Sequence, residues 1–467
     1  MRLAVVGAGL AGLATAYLAQ RAHPDLDVVV LEAAAEPGGK ARSSVQDGHL
    51  FDWGPGGFLT HACETLDLAL ALGLQDRLRP ATDAATRRYL YRDGGLRPLP
   101  ATLGGWLRSE LLSPPGRLRA LAEPLLGGRA RREESVHDFI ARHFGFEAAR
   151  AFAGVFVAGV AAGDARELSL DALFPRLRKL EASHGSVLRG MLAARGRGST
   201  VARPSGAAVP ADGRLTTLEG GVQALVDALA AVLGGRLRSG VRVMGLDDHG
   251  RPGEGPIALR AIDAHGEEVI VADVVALAVP AYVAAELLAH TAPEAAAALD
   301  GIRYADVAVA ALGFDRVDVP TVLDAAGVLV PRGEGVRALE VQWSSAVFPQ
   351  QAPPGKVTLR VVAGGTLDPG FVTLDDGDLL ASVRRDLERT MGIVAEPEAV
   401  RIVRWPRGIP QFTLGHAARV EAARRATAAR WPRLALAGSY LSGVGLDDVV
   451  REARAAAAQL AGVPRVP

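Results

Sequence analysis

The residues best placed to do chemistry in this 467-residue chain are glycines, and they gather at its two ends. Near the start, RLAVVGAGLAGLATA sets Gly7, Gly9 and Gly12 at GxGxxG spacing, with Ala8, Leu10 and Ala11 between them. The apolar run 2–6 ahead of them reads as a strand. An Ala/Leu-rich helical pattern follows, and then a second apolar run, DVVVL, closing on Glu32. In that setting Gly7 turns the chain tightly, Gly9 lets backbone approach a pyrophosphate, and Gly12 lets helix pack on strand. Glu32, about 20 residues further on, can accept hydrogen bonds from a ribose. Near the finish, LALAGSYLSGVGLDDVV puts Gly443, Val444 and Gly445 ahead of a helix expected from about Asp447. Such a helix start points N–H groups and a positive dipole end outward, and so favours an anionic reduced cofactor.

A lone fingerprint of the first kind could hold NAD or FAD. The discriminating residues lie just downstream, in EPGGKARS. Gly38 and Gly39 permit a second close approach of backbone, while Lys40 and Arg42 place cations where a pyrophosphate would run. GPGG follows, and Gly54, Pro55, Gly56 and Gly57 offer a nest of backbone N–H groups with little side-chain bulk, suited to lying against a flat ring. Gly220 and Gly221 in TLEGG look like another approach to the same nucleotide. Taken with the C-terminal glycines, these features favour a flavin, and FAD is the expected cofactor. HExxH, GxSxG and Cys/His metal spacings are absent from the sequence, so no metal is expected. Flavin chemistry asks the protein for position, burial and electrostatics rather than a nucleophile. His416 in TLGH reads as a residue satisfying local backbone, and Cys63, the single cysteine, as a small buried hydrophobe.

The elements that must position these residues follow from periodicity. Hydrophobic residues make up 49% of the chain, enough for a large core divided over two or three domains. The charges balance at 52 against 52, which gives no electrostatic case for nucleic acid. No apolar stretch reaches the ~20 residues that a membrane span needs, so a cytoplasmic protein, at most peripheral on a membrane, is expected. Strands are expected at 88–91, in RVMGL and VIVADVVALAVP, and at 302–313, 338–343 and 356–363. Helices are expected at about 282–300, at 377–392 and after Asp448. The stretch ARGRGSTVARPSGAAVPADGR is expected to be a mobile loop. Alternating strands and helices at both ends, with a helical insertion between them, indicate a doubly wound α/β fold. The expected division is a discontinuous Rossmann-like FAD-binding domain (1–75, 215–285 and 405–467), a helical domain (76–214) and a mixed-sheet substrate domain (286–404).

The chain resembles the FAD-dependent protoporphyrinogen/coproporphyrinogen oxidase family of haem biosynthesis, within the amine oxidase–phytoene desaturase superfamily. The resemblance covers essentially the whole length, through GAGLAGLATAYLA, EPGGKARS, RRYLY…LRPLP, TLEGGVQAL, SSAVFPQQAPPGK and AGSYLSGVGLDDVV. GDARELS…FPRL and GIPQFTLGH narrow it to these oxidases. It implies a p-hydroxybenzoate-hydroxylase-like fold and a six-electron oxidation of a porphyrinogen, with O2 as terminal acceptor and H2O2 as product. It implies that Arg88 holds a substrate propionate, with Arg87 facing the other way on the strand. It also implies that Gly159 leaves room for the macrocycle and that Leu329 and Val362 sandwich its pyrroles. Val243 would meet the adenine through its backbone. Trp405 either walls the isoalloxazine or is core. Ala326 stands where many relatives carry an aromatic, and Asp447, Asp448 and Val449 depart from the family's usual ending. A ferrochelatase hand-off, peripheral membrane contact through the basic amphipathic stretch 106–132 and a homodimer are compatible partner arrangements. The alternative reading is another superfamily flavoenzyme, a carotenoid desaturase or an amine oxidase.

Overall fold

The computed structural model describes residues 1–61, 63–100, 105, 109–130, 132–195, 213–250, 253 and 255–462. The stretch expected to be a mobile loop falls mostly outside these residues, as do parts of the basic amphipathic stretch.

The two chain ends build one five-stranded parallel sheet, in the order 237–239, 27–32, 2–6, 274–277, 434–436. Its strands are near-continuous apolar runs because both faces are covered. On one face, Leu3, Val5, Val28 and Val30 pack under the helices Leu10–Ala22, Gln223–Leu233 and Leu446–Ala461. On the other, Ala4, Val6, Val29 and Leu31 meet the helices Ala281–Leu288, Pro293–Asp300 and His416–Arg430 and a three-stranded antiparallel sheet. The expected helix at 282–300 is therefore two helices. They belong to the core of this domain, which moves its boundary from 285 to about 302.

A second, seven-stranded mixed sheet has the order 399–410, 304–315, 356–364, 338–342, 327–329, 89–92, 95–98. Its far face packs on the helix Asp376–Met391 through Leu359, Val361, Leu379, Val383 and Leu387. The expected boundaries shift here too. Tyr89–Pro98 joins this sheet rather than the helical part, because Val328 and Leu329 pair with Tyr89 and Leu90. The strand Ala399–Pro410 runs across the expected division at 405.

The helical part packs on the near face of this sheet. The segment Phe146–Ala161 is helical throughout, with a π-helical turn at Ala149–Ala153. Ala162 ends it in a left-handed conformation (φ +50). The Ala161 carbonyl accepts from Gln411 Nε2 at 2.8 Å, and the Ala162 carbonyl accepts from Thr366 N. Ser169 N donates to the Phe412 carbonyl, so the GDARELS and GIPQF motifs are one structural joint.

Beneath these helices lies a buried ionic cluster. Glu181, 2% exposed, accepts from Ala130 N at 2.9 Å and pairs with Arg142 and Arg178, while His143 bridges it to the buried Glu123. Burial alone would raise the Glu181 carboxyl, but donation from Ala130 N–H, Arg178 and Arg142 outweighs it and draws the group down to about 2. A carboxylate depressed in the folded state stabilises above its unfolded value and loses that contribution as pH falls through its folded value. Stability of the helical part is therefore expected to drop between about pH 4.5 and 2. Glu181→Gln should lower the melting temperature at neutral pH and flatten that acid limb, read by thermal denaturation across pH. An unchanged acid limb would show that Glu181 is not its source.

Candidate flavin and substrate site

The glycines of the first loop are dictated by backbone contact. A Cβ on Gly12 would lie 1.9 Å from the Gly7 carbonyl oxygen, and one on Gly7, whose φ is +98, would lie 2.7 Å from Ala278 O. Gly9 caps the helix Leu10–Ala22, and a Cβ there would meet nothing within 4 Å. Open space at a helix start, under unpaired N–H groups, is what a pyrophosphate requires. Gly38 N donates to the Ala8 carbonyl at 2.8 Å, and a Cβ on Gly39 would stand 3.4 Å from Gly9 Cα, so the EPGGK turn lies directly on the first loop. Glu32 holds this edge together, accepting from Ala8 N at 2.6 Å and Ala34 N at 2.9 Å. Val241 N donates to the Glu32 carbonyl, which brings the strand carrying the buried Val243 alongside. Leu10 and Ala11 are buried on the sheet side, where they serve packing.

The two cations behave differently. Arg42 pairs with Glu36 and lies over the Trp53 ring at 4.3 Å, so it is engaged within the protein. Lys40 has no hydrogen-bond or ion-pair partner among the described residues, and burial draws its ammonium down to about 8. The GPGG stretch also differs from expectation. None of residues 54–57 has a positive φ, so it lacks the alternating geometry of an anion nest. Gly54, Gly56 and Gly57 are there because a Cβ would strike Lys40 O at 2.2 Å, Asp52 Oδ2 at 2.9 Å and Thr216 O at 2.7 Å. With Pro55 they leave a half-buried surface of low relief. Trp405 Nε1 donates to the Trp53 carbonyl at 2.8 Å and so ties this stretch to the second sheet. At the other end, Gly445 caps the helix Leu446–Ala461. A Cβ on Gly443 would lie 2.2 Å from Asp448 Oδ2, with Val444 between the two glycines. Asp447 accepts from Thr65 N, and Asp448 pairs with Arg451. These acids in the first turn offset part of the dipole invoked for the cofactor.

The substrate side is built on the near face of the seven-stranded sheet. Leu90, Leu329, Glu340 and Val362 form one cross-strand row. Gly159 comes onto it from the helix above, where a Cβ would stand 3.5 Å from Leu329 Cδ2. Arg88, half-buried, precedes Leu90 by two residues on the same side. Its side chain has no protein partner among the described residues. Arg87 points the other way, donating to the Asp324 carbonyl at 2.7 Å. Ala326 is buried in a small cluster with Ala81, Val347 and Phe348, apart from the cluster that holds Leu329. His416 Nε2 donates to the Tyr440 carbonyl at 2.9 Å, and burial holds the ring near 4, neutral at physiological pH.

A family model for flavin-containing amine oxidoreductases matches residues 10–461. The chloroplastic protoporphyrinogen oxidase of Oryza sativa subsp. japonica is 32% identical over 98% of this chain and 87% of its own length. The chain belongs to the flavin-containing amine oxidoreductase family. Within it, the chain falls in the protoporphyrinogen/coproporphyrinogen oxidase group, and it is an oxidoreductase whose cofactor is FAD. The coproporphyrinogen III oxidase of Bacillus subtilis is 28% identical over 97% of this chain and 96% of its own length. A crystal structure from Exiguobacterium sp., provisionally named a protoporphyrinogen oxidase, superposes with TM-score 0.83 at 26% identity over 98% of each chain.

The open space at Gly9 and the unpartnered Lys40 fit a dinucleotide pyrophosphate. An anion beside Lys40 would restore its proton affinity, so FAD bound there would take up a proton between about pH 8 and lysine's usual 10.5. The apoprotein's affinity for FAD is expected to fall as pH rises through that window. Lys40→Met should bind more weakly at pH 7 and show a flatter profile, read by flavin fluorescence titration. Superposable profiles for the two proteins would remove Lys40 from the site.

Proposed function

We propose that this protein oxidises a porphyrinogen to the corresponding porphyrin, protoporphyrinogen IX or coproporphyrinogen III, in haem biosynthesis. The observation that carries the reading is the pairing of a flavin cradle with the apolar side chains of Leu329 and Val362, which flank Glu340 in one row, beside the guanidinium of Arg88, which has no protein partner among the described residues. A porphyrinogen has that chemistry: an apolar tetrapyrrole with carboxylates at its rim. Bound FAD supplies a two-electron acceptor that O2 regenerates. Overall, six hydrogens leave the macrocycle and three O2 become three H2O2.

The chain's own residues perform the remaining work. Arg88 holds a propionate, a bidentate charge-assisted contact that fixes orientation. Leu329 and Val362 bury pyrrole surface and keep water from the bridging carbon, while Gly159 lets the ring lie close. Gly7, Gly9, Gly12, Glu32, Gly39, Lys40 and Val243 would hold the adenosine diphosphate portion. Gly54–Gly57, Trp405 and Gly443–Gly445 would enclose the ring end. The unpaired cation weighs against an amine oxidase, whose ammonium substrate it would repel.

No helix among the described residues is long and apolar enough to cross a membrane. Leu125 and Phe146 on the helical part stand 82% and 79% exposed, which supports peripheral membrane contact as part of this proposal. Aerobic incubation of FAD-loaded enzyme with each porphyrinogen should produce porphyrin fluorescence and H2O2. Arg88→Leu should raise KM about tenfold or more, the scale of a lost charge-assisted contact. A flavin-loaded enzyme that yields porphyrin from neither compound would overturn the proposal.

A further inference from the structure

Two rows cross the near face of the seven-stranded sheet. In the first, Leu90 pairs with Leu329, Leu329 with Glu340, and Glu340 with Val362. In the second, Gly327 pairs with Gln342, and Gln342 with Arg360. The strands carrying Leu90 and Val362 run in the same direction. Arg88, two residues before Leu90, and Arg360, two before Val362, are therefore displaced the same way from the first row. With the strand order 356–364, 338–342, 327–329, 89–92, they stand three strand spacings apart, about 14 Å.

Between them the surface is low. Gly327 has no side chain and cannot acquire one, because at φ +144 a Cβ would lie 2.1 Å from the Val341 carbonyl oxygen. The next residues on the Arg360 strand define the margins of this gap. Thr358 lies under His49 of the flavin domain, at 2.8 Å from its Nδ1, and Val362 lies in the row that Gly159 approaches from above. The second row thus floors the space between the flavin domain and the helical part.

Arg360 is short of partners. Its Nη1 donates to Gln342 Oε1 at 2.8 Å, while its Nε is buried with none. Burial lowers the guanidinium, and Glu340 and Asp52 oppose this from a distance, but no carboxylate among the described residues forms an ion pair with it. Asp52 is occupied elsewhere, accepting from Ser43 Oγ at 2.6 Å and Gln351 Nε2 at 2.7 Å. A half-buried guanidinium whose Nε is enclosed without a partner is costly unless a ligand brings one.

We infer that Arg360 is a second carboxylate anchor of the reaction cavity and that, with Arg88, it selects a porphyrinogen bearing propionates on more than one edge. The inference rests on the porphyrinogen reading and sharpens it. Coproporphyrinogen III carries a propionate on every pyrrole and can engage both cations. Protoporphyrinogen IX carries two on neighbouring pyrroles, gathered along one edge, and engages one cation at a time.

The test is fluorescence titration of the FAD-loaded enzyme with the product porphyrins, alongside turnover of both porphyrinogens. Wild-type enzyme should bind coproporphyrin III more tightly than protoporphyrin IX and more tightly than coproporphyrin III tetramethyl ester. Arg360→Leu should shrink the coproporphyrin preference about tenfold, equivalent to about 1.4 kcal/mol. Arg360→Lys should keep part of it, and Arg88→Leu should weaken both porphyrins. Equal weakening of both by Arg360→Leu, or a changed flavin midpoint potential with the preference intact, would overturn the assignment. If Arg360→Leu does not fold, the ester decides in the Arg88→Leu enzyme: coproporphyrin III bound no more tightly than its tetramethyl ester overturns the inference, and a retained preference for the free acid supports it. Turnover of either porphyrinogen with no change of preference sinks this inference alone. Turnover of neither sinks the reading beneath it as well.

Discussion

Backbone meeting backbone without intervening side chains is the constraint on which the rest depends. At Gly12 a Cβ would occupy the position of the Gly7 carbonyl, and at Gly7 it would strike Ala278. Only glycines allow the first helix, the first loop and the strand 274–277 to come that close. Once they do, the parallel register from 27–32 through 434–436 follows, and with it the position of Glu32 and of the EPGGK turn. The helix Leu446–Ala461 packs against the first helix in the same core, which brings the last glycines to the first ones. A nucleotide cradle assembled from opposite ends of a chain thus rests on a few missing methyl groups.

The flavin half and the substrate half are joined through polar contacts. The strand His49–Asp52 lies across the seven-stranded sheet. There His49 contacts Thr358 at 2.8 Å and Glu398 at 2.9 Å, and Asp52 accepts from Gln351. Trp53 follows, its ring between the guanidiniums of Arg42 and Arg401 at 4.3 and 4.5 Å and its carbonyl bonded to Trp405. Apolar packing tolerates sliding, whereas buried hydrogen bonds are directional and costly to leave unmade. The seam therefore fixes the separation between the cofactor loop and the substrate face.

Local pattern made most elements legible. DVVVL, the runs at 302–313 and 356–363 and the helix at 377–392 all lie within a few residues of where periodicity puts them. What was not legible depended on partners distant in sequence. Nothing in PEAAAALD says that Ala295 and Leu299 pack with Val420 and Ala423 in the flavin domain rather than against the substrate sheet. Nothing in GPGG distinguishes glycines kept for a ring from glycines kept for their own chain. Nothing around Ala326, which the resemblance places where relatives carry an aromatic, says that it packs with Ala81, Val347 and Phe348. Arg360 had a signal that went unused: it is the charged residue inside the apolar strand VTLRVVAG, just as Glu340 is inside RALEVQ. Gln411 too was visible within GIPQF, but its bond to the Ala161 carbonyl could not be inferred from spacing.

Balanced charge gives these exceptions their meaning. Lys and Arg together equal Asp and Glu together. Several half-buried guanidiniums have acids beside them, Arg430 with Asp248 and Arg178 with Asp171 and Glu181, while others, such as Arg119 and Arg419, donate to backbone carbonyls. A cation that has neither a contacting carboxylate nor a set of carbonyls to satisfy it leaves room for an anion from outside. Lys40 is one, at the loop where a pyrophosphate would lie. Arg88 and Arg360 are two more, on one face of one sheet with a glycine between them. Zero net charge argues against a polyanionic partner for the surface as a whole. It says nothing about the cavity, where Arg88 and Arg360 stand beside apolar side chains. A flat, apolar, carboxylate-rimmed molecule is the complement of that combination, and guanidiniums hold it without titrating because they stay charged at any physiological pH.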